Sequence, residues 1–375
     1  MLNRRNFTLN VVGLTAALLS SSRLLAHNRI AADTWFMPEE QGSHLRTWMA
    51  FIANEEIWHP GQIKAVQQNL LLIASTIAKY EPVNMLVRAQ DYSLASAMLN
   101  VQPKSNFPIS FVECEFDDLW LRDSGPVFVI NGSGEQAAID FNFNGWGNKQ
   151  QHQLDAKVAS FIAAQAQVKR IISSIVMEGG CFELDGAGTA IMTESCIIND
   201  NRNPGKTKLQ IERELKQLLN LRKIIWLKGV KGSDITDAHT DFYARFAFPG
   251  VLVVSRDNDS SSPDYQLTRD NIEYLKTATD ASGRSLELVI MDTPETINTR
   301  FGEEQFAAGY LGYYLCNNAI IMQKFGDMQA DNAALETMQD LFPSYHIEQI
   351  AVDAIASGGG TIHCATQQQP QTYTV

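Results

Sequence analysis

Five stretches of the chain place apolar residues at helical spacing. Gly61 to Tyr80 carries Leu70, Leu71, Ile73, Ala74 and Ile77 on one face, and His152 to Val168 carries Leu154, Val158, Phe161 and Ile162. Lys206 to Leu219 sets Leu209, Leu215, Leu218 and Leu219 against a face of Lys and Glu. Pro263 to Thr279 has Leu267, Ile272 and Leu275, and Met328 to Leu341 has Ala333, Ala334, Leu335, Met338 and Leu341. Repeats of three and four residues bury one side of a helix, and core packing accounts for all five stripes.

Short apolar runs fill the gaps and read as strands. They are Arg46 to Phe51, Val83 to Val87, Phe107 to Val112, Pro126 to Ile130, Ala137 to Phe143, Ile171 to Met177 and Thr189 to Ile198. Further runs are Lys223 to Leu227, Thr240 to Phe248, Val251 to Ser255, Leu286 to Met291, Tyr310 to Cys316, Ala319 to Gln323 and Ile347 to Ile350. Asn131-Gly132-Ser133-Gly134, Pro249-Gly250 and Asn317-Asn318 are hairpin turns by their chemistry. The chain therefore reads as five units of strands plus one long helix. A doubly wound parallel sheet is the common alternative for such α/β alternation. Connections too short for parallel crossovers, and the lack of a Gly-rich phosphate turn after an early strand, count against it.

Composition is that of an ordinary globular chain: 375 residues, 45% hydrophobic, 19% charged. The net charge of -12 disfavours nucleic acid and anionic membranes as partners and suits a cationic small substrate. The first 26 residues differ from the rest. They carry Arg4, Arg5 and Arg23 and no acid, and Asn3-Arg4-Arg5-Asn6-Phe7-Thr8-Leu9 resembles a twin-arginine export signal. The apolar run from Val11 to Leu19 is too short to span a bilayer. Residues 1–26 are read as an export signal directing a folded protein to the periplasm or beyond, and residues 31–375 as a single catalytic domain. Leu24 is not the small residue expected before a cut after Ala26, which leaves the cleavage point open.

The five cysteines, Cys114, Cys181, Cys196, Cys316 and Cys364, form no CxxC pair, which argues against zinc. Four read as small buried hydrophobes, although an oxidising destination permits disulfides. The fifth, Cys364, follows Ser357-Gly358-Gly359-Gly360-Thr361-Ile362-His363 near the end of the chain. Three consecutive glycines do not stabilise a helix or strand and suit close backbone approach. A cysteine in such a place is a candidate nucleophile. His363 would face away from Cys364 on a strand, so the base must come from elsewhere.

Three more places concentrate polar residues. In Trp120-Leu121-Arg122-Asp123-Ser124-Gly125-Pro126, Asp123 reads either as a turn cap or as a ligand-facing acid, with Arg122 in a salt bridge. Glu178 closes a strand before Gly179-Gly180 and reads as a pocket acid or an exposed turn acid. In Asp237-Ala238-His239-Thr240-Asp241, the histidine and Asp241 would share one face of a strand as an acid/base unit or a structural pair. Metal binding there would need more histidines nearby. A thiolate, a histidine and several carboxylates suit attack on a guanidinium carbon, because carboxylates match the planar cation bidentately and orient it. Buried acids would not help an oxyanion form, so protease chemistry fits less well.

With these residues, the chain from about Trp35 to Pro370 resembles the agmatine deiminase family, which also contains the bacterial peptidylarginine deiminases. The resemblance rests on Met37-Pro38-Glu39-Glu40, Arg46-Thr47-Trp48-Met49-Ala50, the Trp120 to Pro126 run, Glu178-Gly179-Gly180, Asn201-Arg202-Asn203-Pro204, His239-Thr240-Asp241, Phe325-Gly326-Asp327 and Gly358 to Cys364 with Thr366 to Pro370. It implies a pentein fold, a five-bladed pseudo-symmetric α/β propeller with its site on the axis and no metal or organic cofactor. It implies Cys364 as nucleophile and His239 as the proton carrier. Asp123, Asp241 and Glu178 would grip the guanidinium, and Trp120 would wall the pocket. The expected reaction is hydrolysis of a guanidine, agmatine first among the candidates, through an amidino-cysteine. Peptidyl-arginine deimination, amidinotransfer, and a periplasmic guanidine-binding protein are the alternatives. Ile235, Ala238, Gly312 and Thr361 depart from the family's usual residues and bear on the distal pocket.

Overall fold

The last strand of the chain pairs with its first long one. Gln367–Pro370 runs antiparallel to His44–Phe51, with Gln367 opposite Trp48 and Gln369 opposite Arg46. The computed structural model describes residues 31–372 apart from 53, 56, 303 and 304. The expected export signal of residues 1–26 lies outside the described residues. None of the described helices is long and apolar enough to cross a membrane.

Five sheets repeat one plan: an antiparallel pair of strands, a helix, and a parallel outer strand. In the first blade the pair is Gln367–Pro370 with His44–Phe51, the helix is Pro60–Ile77 and the outer strand is Val83–Val87. The second blade pairs Val127–Asn131 with Gln136–Asp140 and returns through helix Val158–Gln165 to Lys169–Ile172. The third pairs Phe182–Leu184 with Thr189–Thr193 and returns through Lys208–Leu219 to Lys223–Leu227. Ala244–Phe248 and Val251–Arg256, helix Asp264–Thr277 and Glu287–Asp292 form the fourth. Tyr314–Cys316 and Ala319–Gln323, helix Met328–Leu341 and His346–Ile350 form the fifth. This is the expected five-bladed α/β propeller. The antiparallel pair in every blade rules out the doubly wound alternative.

Local chemistry sets the element ends. Pro60 opens the first helix, where its missing N–H costs nothing. Thr207 and Gln210 cap each other's backbone at the start of Lys208–Leu219, and Asn220 ends it in the left-handed region at φ 54°. Asp327 accepts from Ala330 N at the start of Met328–Leu341.

Several boundaries differ from the sequence reading. The run from Thr189 to Ile198 is a strand only to Thr193; Glu194–Ile197 is a helical turn, drawn off the sheet as Ser195 Oγ donates to Asp237 O at 2.7 Å. Lys169–Ile172 replaces the expected Ile171 to Met177. Thr240–Phe242 and Tyr310–Gly312 are 3-10 turns ahead of their strands, so His239 and Asp241 do not share a strand face. Helix Tyr92–Asn100 and the fourth strand of the first blade, Ile109–Glu113, extend that blade outward. The helix was missed because Ala95 is its one fully buried residue and it shows no strong stripe. Gln367–Pro370 escapes a hydrophobicity pattern because it is polar: its three glutamines are buried and hydrogen-bond to Pro126 O, Arg122, Trp48 and Gln136, with Gln367 Oε1 left unpartnered.

Gln369 joins the first and second blades. Its Oε1 accepts from Trp48 Nε1 at 3.0 Å and its Nε2 donates to Gln136 Oε1 at 2.7 Å. Truncation leaves a buried indole N–H without an acceptor. Gln369→Ala is expected to lower stability by about 2 kcal/mol, measured as a shift in the urea midpoint with the slope unchanged.

Candidate active site

Cys364, the candidate nucleophile, is placed by the closing strand and by Arg122. Arg122 N donates to Cys364 O at 3.0 Å. Its side chain donates to His363 O at 3.3 Å and to Gln368 Oε1 at 2.7 Å, and pairs with Glu40 at 3.3 Å. These bonds fasten residues 363–368 to the short helix Leu121–Ser124, which carries Asp123. The glycine run is explained one residue at a time. A Cβ on Gly358 would lie 2.1 Å from the Trp58 ring, and one on Gly360 would lie 2.2 Å from Trp120. Gly359 turns the chain between them at φ 90°. The two indoles stand 6.0 Å apart and form one wall beside Cys364.

Asp123 and Glu178 face His239 from two sides. Asp123 Oδ2 accepts from Trp146 Nε1 at 2.9 Å and Oδ1 from Gly180 N at 3.2 Å. His239 Nδ1 lies 3.9 Å from Asp123 Oδ2, and its Nε2 lies 3.4 Å from Glu178 Oε2. Burial works against a charge on His239, yet Asp123, Cys196 and Glu178 outweigh it and raise its pKa well above the usual value. Glu178 is buried too, but Arg202 and His239 hold its carboxyl down to about 2. Gly180 permits this approach, since a Cβ there would be 2.4 Å from His239 Nδ1.

Asp241 is held at one oxygen only. Its Oδ2 accepts from His363 Nδ1 at 2.7 Å, while Oδ1 is buried without a hydrogen-bond partner. Burial alone would raise its pKa, and His363 more than reverses that. Cys364 is 6% exposed. Burial, then Asp241 and Asp123, push its thiol up to about 12, against a weak opposing contact from Thr361. The surroundings thus favour a neutral thiol beside carboxylates that have spare capacity for a cation.

The structure brings together all six residues read from the sequence: Trp120, Asp123, Glu178, His239, Asp241 and Cys364. Glu178 differs from expectation in its neighbours. Arg202 Nε donates to both of its oxygens, at 2.8 and 3.0 Å, and Cys181 Sγ to Oε2 at 2.8 Å. Its carboxylate is engaged by an internal guanidinium and by the imidazole. His363 and Cys364 lie in a turn rather than on the expected strand, and His363 anchors Asp241. Nothing local in the sequence marks the roles of Arg202 and Trp146, whose partners are distant along the chain. Glu40, Glu183 and His363 also cluster, with Arg245 and Arg122 balancing their charge.

The departures from the family pattern fall in two places. A Cβ on Gly312 would lie 2.1 Å from Thr361 Oγ1, so those two residues are a matched pair beside Cys364. Ala238 is buried at φ 72°, where glycine would sit without strain, and Ile235 packs at the edge of the core.

A family profile described as Porphyromonas-type peptidyl-arginine deiminase matches residues 36–370. A Legionella pneumophila (strain Paris) protein with the provisional name agmatine deiminase is 34% identical over 340 residues, which span 90% of this chain and 96% of that one. A Streptomyces avermitilis protein of the same provisional name is 36% identical over 350 residues, 91% of this chain and 99% of its own. The solved agmatine deiminase of Enterococcus faecalis superposes with a TM-score of 0.84 at 31% identity, covering 90% of this chain and 96% of that one.

A thiol held near pH 12 reacts slowly at neutral pH. Alkylation of Cys364 by iodoacetamide is expected to rise about tenfold per pH unit up to at least pH 10 in the free protein. A plateau already reached at pH 7 without a cationic ligand would contradict the electrostatics described.

Proposed function

This chain belongs to the Porphyromonas-type peptidyl-arginine deiminase family, and on that premise we propose that it hydrolyses agmatine to N-carbamoylputrescine and ammonia. It is a hydrolase of C–N bonds in linear amidines. The observation that carries the finer reading is the pair of Asp241 oxygens. One is anchored by His363, and the other is buried, unpartnered and ready to accept a guanidinium N–H.

In this reading Asp123 and Asp241 hold the guanidinium nitrogens, and the cation's charge offsets the carboxylates that keep Cys364 protonated. The thiol ionises once substrate is bound, its proton passing to solvent. Sulfur attacks the guanidinium carbon, and His239 as imidazolium gives its proton to the departing nitrogen. Ammonia leaves, and an amidino-thioether remains. Neutral His239 then takes a proton from water, the hydroxide adds to the same carbon, and the C–S bond breaks as the added hydroxyl's proton passes to the sulfur, releasing the ureido product and restoring the thiol. Glu178, fixed by Arg202, keeps His239 oriented and supplies the charge that stabilises its imidazolium. Trp120 and Trp58 exclude water from the sulfur.

Agmatine is favoured over peptidyl-arginine by burial. Trp120, Asp123, His239 and Cys364 are all under 8% exposed, which suits a small free guanidine better than a side chain on a folded protein. The relatives' names point the same way. Export through a twin-arginine route is part of the proposal, supported by Arg4, Arg5 and the apolar run to Leu19.

Purified protein offered agmatine, free arginine and an arginine peptide is expected to release ammonia and a ureido product from agmatine, with kcat/KM at least about tenfold above the other two. Cys364→Ser is expected to abolish turnover while agmatine still binds by calorimetry. Faster release from the peptide would move the activity to the peptidylarginine branch. Full turnover by the serine variant would remove Cys364 from the mechanism.

A further inference from the structure

Cys181 and Cys196 lie far enough apart in sequence to escape any CxxC template, yet their sulfurs are 2.7 Å apart and fully buried. Cys181 ends the 3-10 turn that follows Glu178, and Cys196 sits in the helical turn Glu194–Ile197. Both meet Glu178 Oε2, at 2.8 and 3.4 Å, and His239 Nε2 meets the same oxygen at 3.4 Å. The four donor atoms, two thiol sulfurs, one imidazole nitrogen and one carboxylate oxygen, all lie within 4.8 Å of one another.

We propose that Cys181, Cys196, His239 and Glu178 form an inhibitory site for a thiophilic divalent cation such as zinc. A tetrahedral zinc ion with this donor set has bonds of about 2.0–2.3 Å, so its ligand atoms sit about 3.3–3.8 Å apart. The distances from Glu178 Oε2 to Cys196 Sγ and to His239 Nε2, both 3.4 Å, fall in that range. Cys181 Sγ, at 2.8 Å from Oε2 and 2.7 Å from Cys196 Sγ, must move away from both, by about half an ångström and about an ångström. Binding replaces three protons: both thiols and the His239 imidazolium Nε2 deprotonate, two metal–sulfur bonds and one metal–nitrogen bond form, and three protons go to solvent. Two thiolates and a carboxylate then carry three negative charges against the ion's two positive ones. The Arg202 guanidinium, on Glu178 Oε1 at 2.8 Å, offsets the remainder. Arg202 Nε also donates to Oε2, at 3.0 Å; on binding, Oε2 exchanges that bond for the ion while Oε1 keeps its own.

The consequence follows from His239. With Nε2 bonded to the ion, the imidazole no longer moves a proton from that nitrogen, and Glu178 no longer steadies its charge. The ion site itself does not depend on the deiminase reading; only the inhibition does. The same cluster is missing from no part of the described site, since each ligand except the two sulfurs already serves the catalytic arrangement.

The test begins with Cys364→Ser protein, which removes the competing nucleophilic thiol. X-ray absorption of the zinc-loaded protein is expected to give two sulfur neighbours at about 2.3 Å with lighter atoms completing four ligands. Cobalt(II) titration is expected to give one equivalent, with tetrahedral d–d bands and a sulfur-to-cobalt charge-transfer band, and to release three protons per ion. In Cys364-containing protein, zinc is expected to abolish turnover, a chelator to restore it, and Cys196→Ser to raise the half-inhibiting zinc concentration by on the order of 100-fold. Zero or one sulfur neighbour would overturn the proposal. So would a thiol titration in the native protein showing Cys181 and Cys196 already joined as a disulfide. Zinc inhibition unaffected by Cys196→Ser would place the ion on Cys364 instead and also overturn it. Failure of turnover with every guanidine would sink the function proposed above but leave the spectroscopic result intact.

Discussion

The active site depends on one buried arginine. Arg202 is wholly enclosed, and its guanidinium spans two loops from different blades. Nε pairs with Glu178, Nη1 with Asp237 at 2.7 Å, and Nη2 with Thr236 O at 2.9 Å. Without it, Glu178 would be a carboxylate in a dry interior with no permanent cation beside it, which costs several kcal/mol, and Asp237 would keep Lys149 as its cation, at 2.8 Å. With it, the turn that carries Glu178 and the turn that leads to His239 have a fixed separation. The strained backbone at Asp237 and Ala238, both at positive φ, is tolerated because these bonds over-determine the turn. Replacing such a network with apolar residues could preserve stability, but it could not preserve the placement of an imidazole between two acids.

Arg202 also divides the work among the carboxylates. It is a guanidinium bound by Glu178, so it acts as an internal counterpart of the cation that the site is built to receive. Once Glu178 is satisfied from within, Asp123 and Asp241 are left with unspent charge toward the pocket. Asp123 accepts two neutral hydrogen bonds and burial raises its pKa, whereas Asp241 is anchored at one oxygen and open at the other. Burial first, and that imbalance after it, raise the Cys364 thiol. On the proposed mechanism a neutral substrate would bring no relief, so selectivity for guanidinium would be enforced at the sulfur as well as at the binding groups.

Much of this was legible in the chain because the fold is local and repetitive. Helix stripes such as Met328–Leu341 and strands such as Val83–Val87 follow from periodicity, and each blade keeps its parts consecutive in sequence. What periodicity could not reveal is what the closing strand contributes. Gln367–Pro370 is polar and buried, held by bonds to Pro126, Trp48 and Gln136 that are distant in sequence. The same limit hid Arg202 and the Cys181–Cys196 contact: both are satisfied by partners that only the packing of neighbouring loops brings near. The candidate site residues, by contrast, sit in turns with distinctive composition, which is why Asp123, Glu178, His239, Asp241 and Cys364 stand out in the sequence. The strand pattern assumed for His239 and Asp241 was wrong because a 3-10 turn sets their directions, not a pleat.

The departures from the family pattern then acquire a physical meaning. Gly312 and Thr361 are unusual one by one, but they touch, and the volume absent at 312 is taken up by the threonine side chain. A larger residue at 312 with Thr361 retained would collide with the hydroxyl that lies 3.5 Å from Cys364 Sγ. Reverting one alone would therefore displace the loop that carries the nucleophile, whereas changing both together could conserve volume. In the proposed reaction the charged frame of Asp123, Glu178, Arg202, His239 and Asp241 captures the guanidinium, and the Gly312–Thr361 pair shapes the space beside the sulfur.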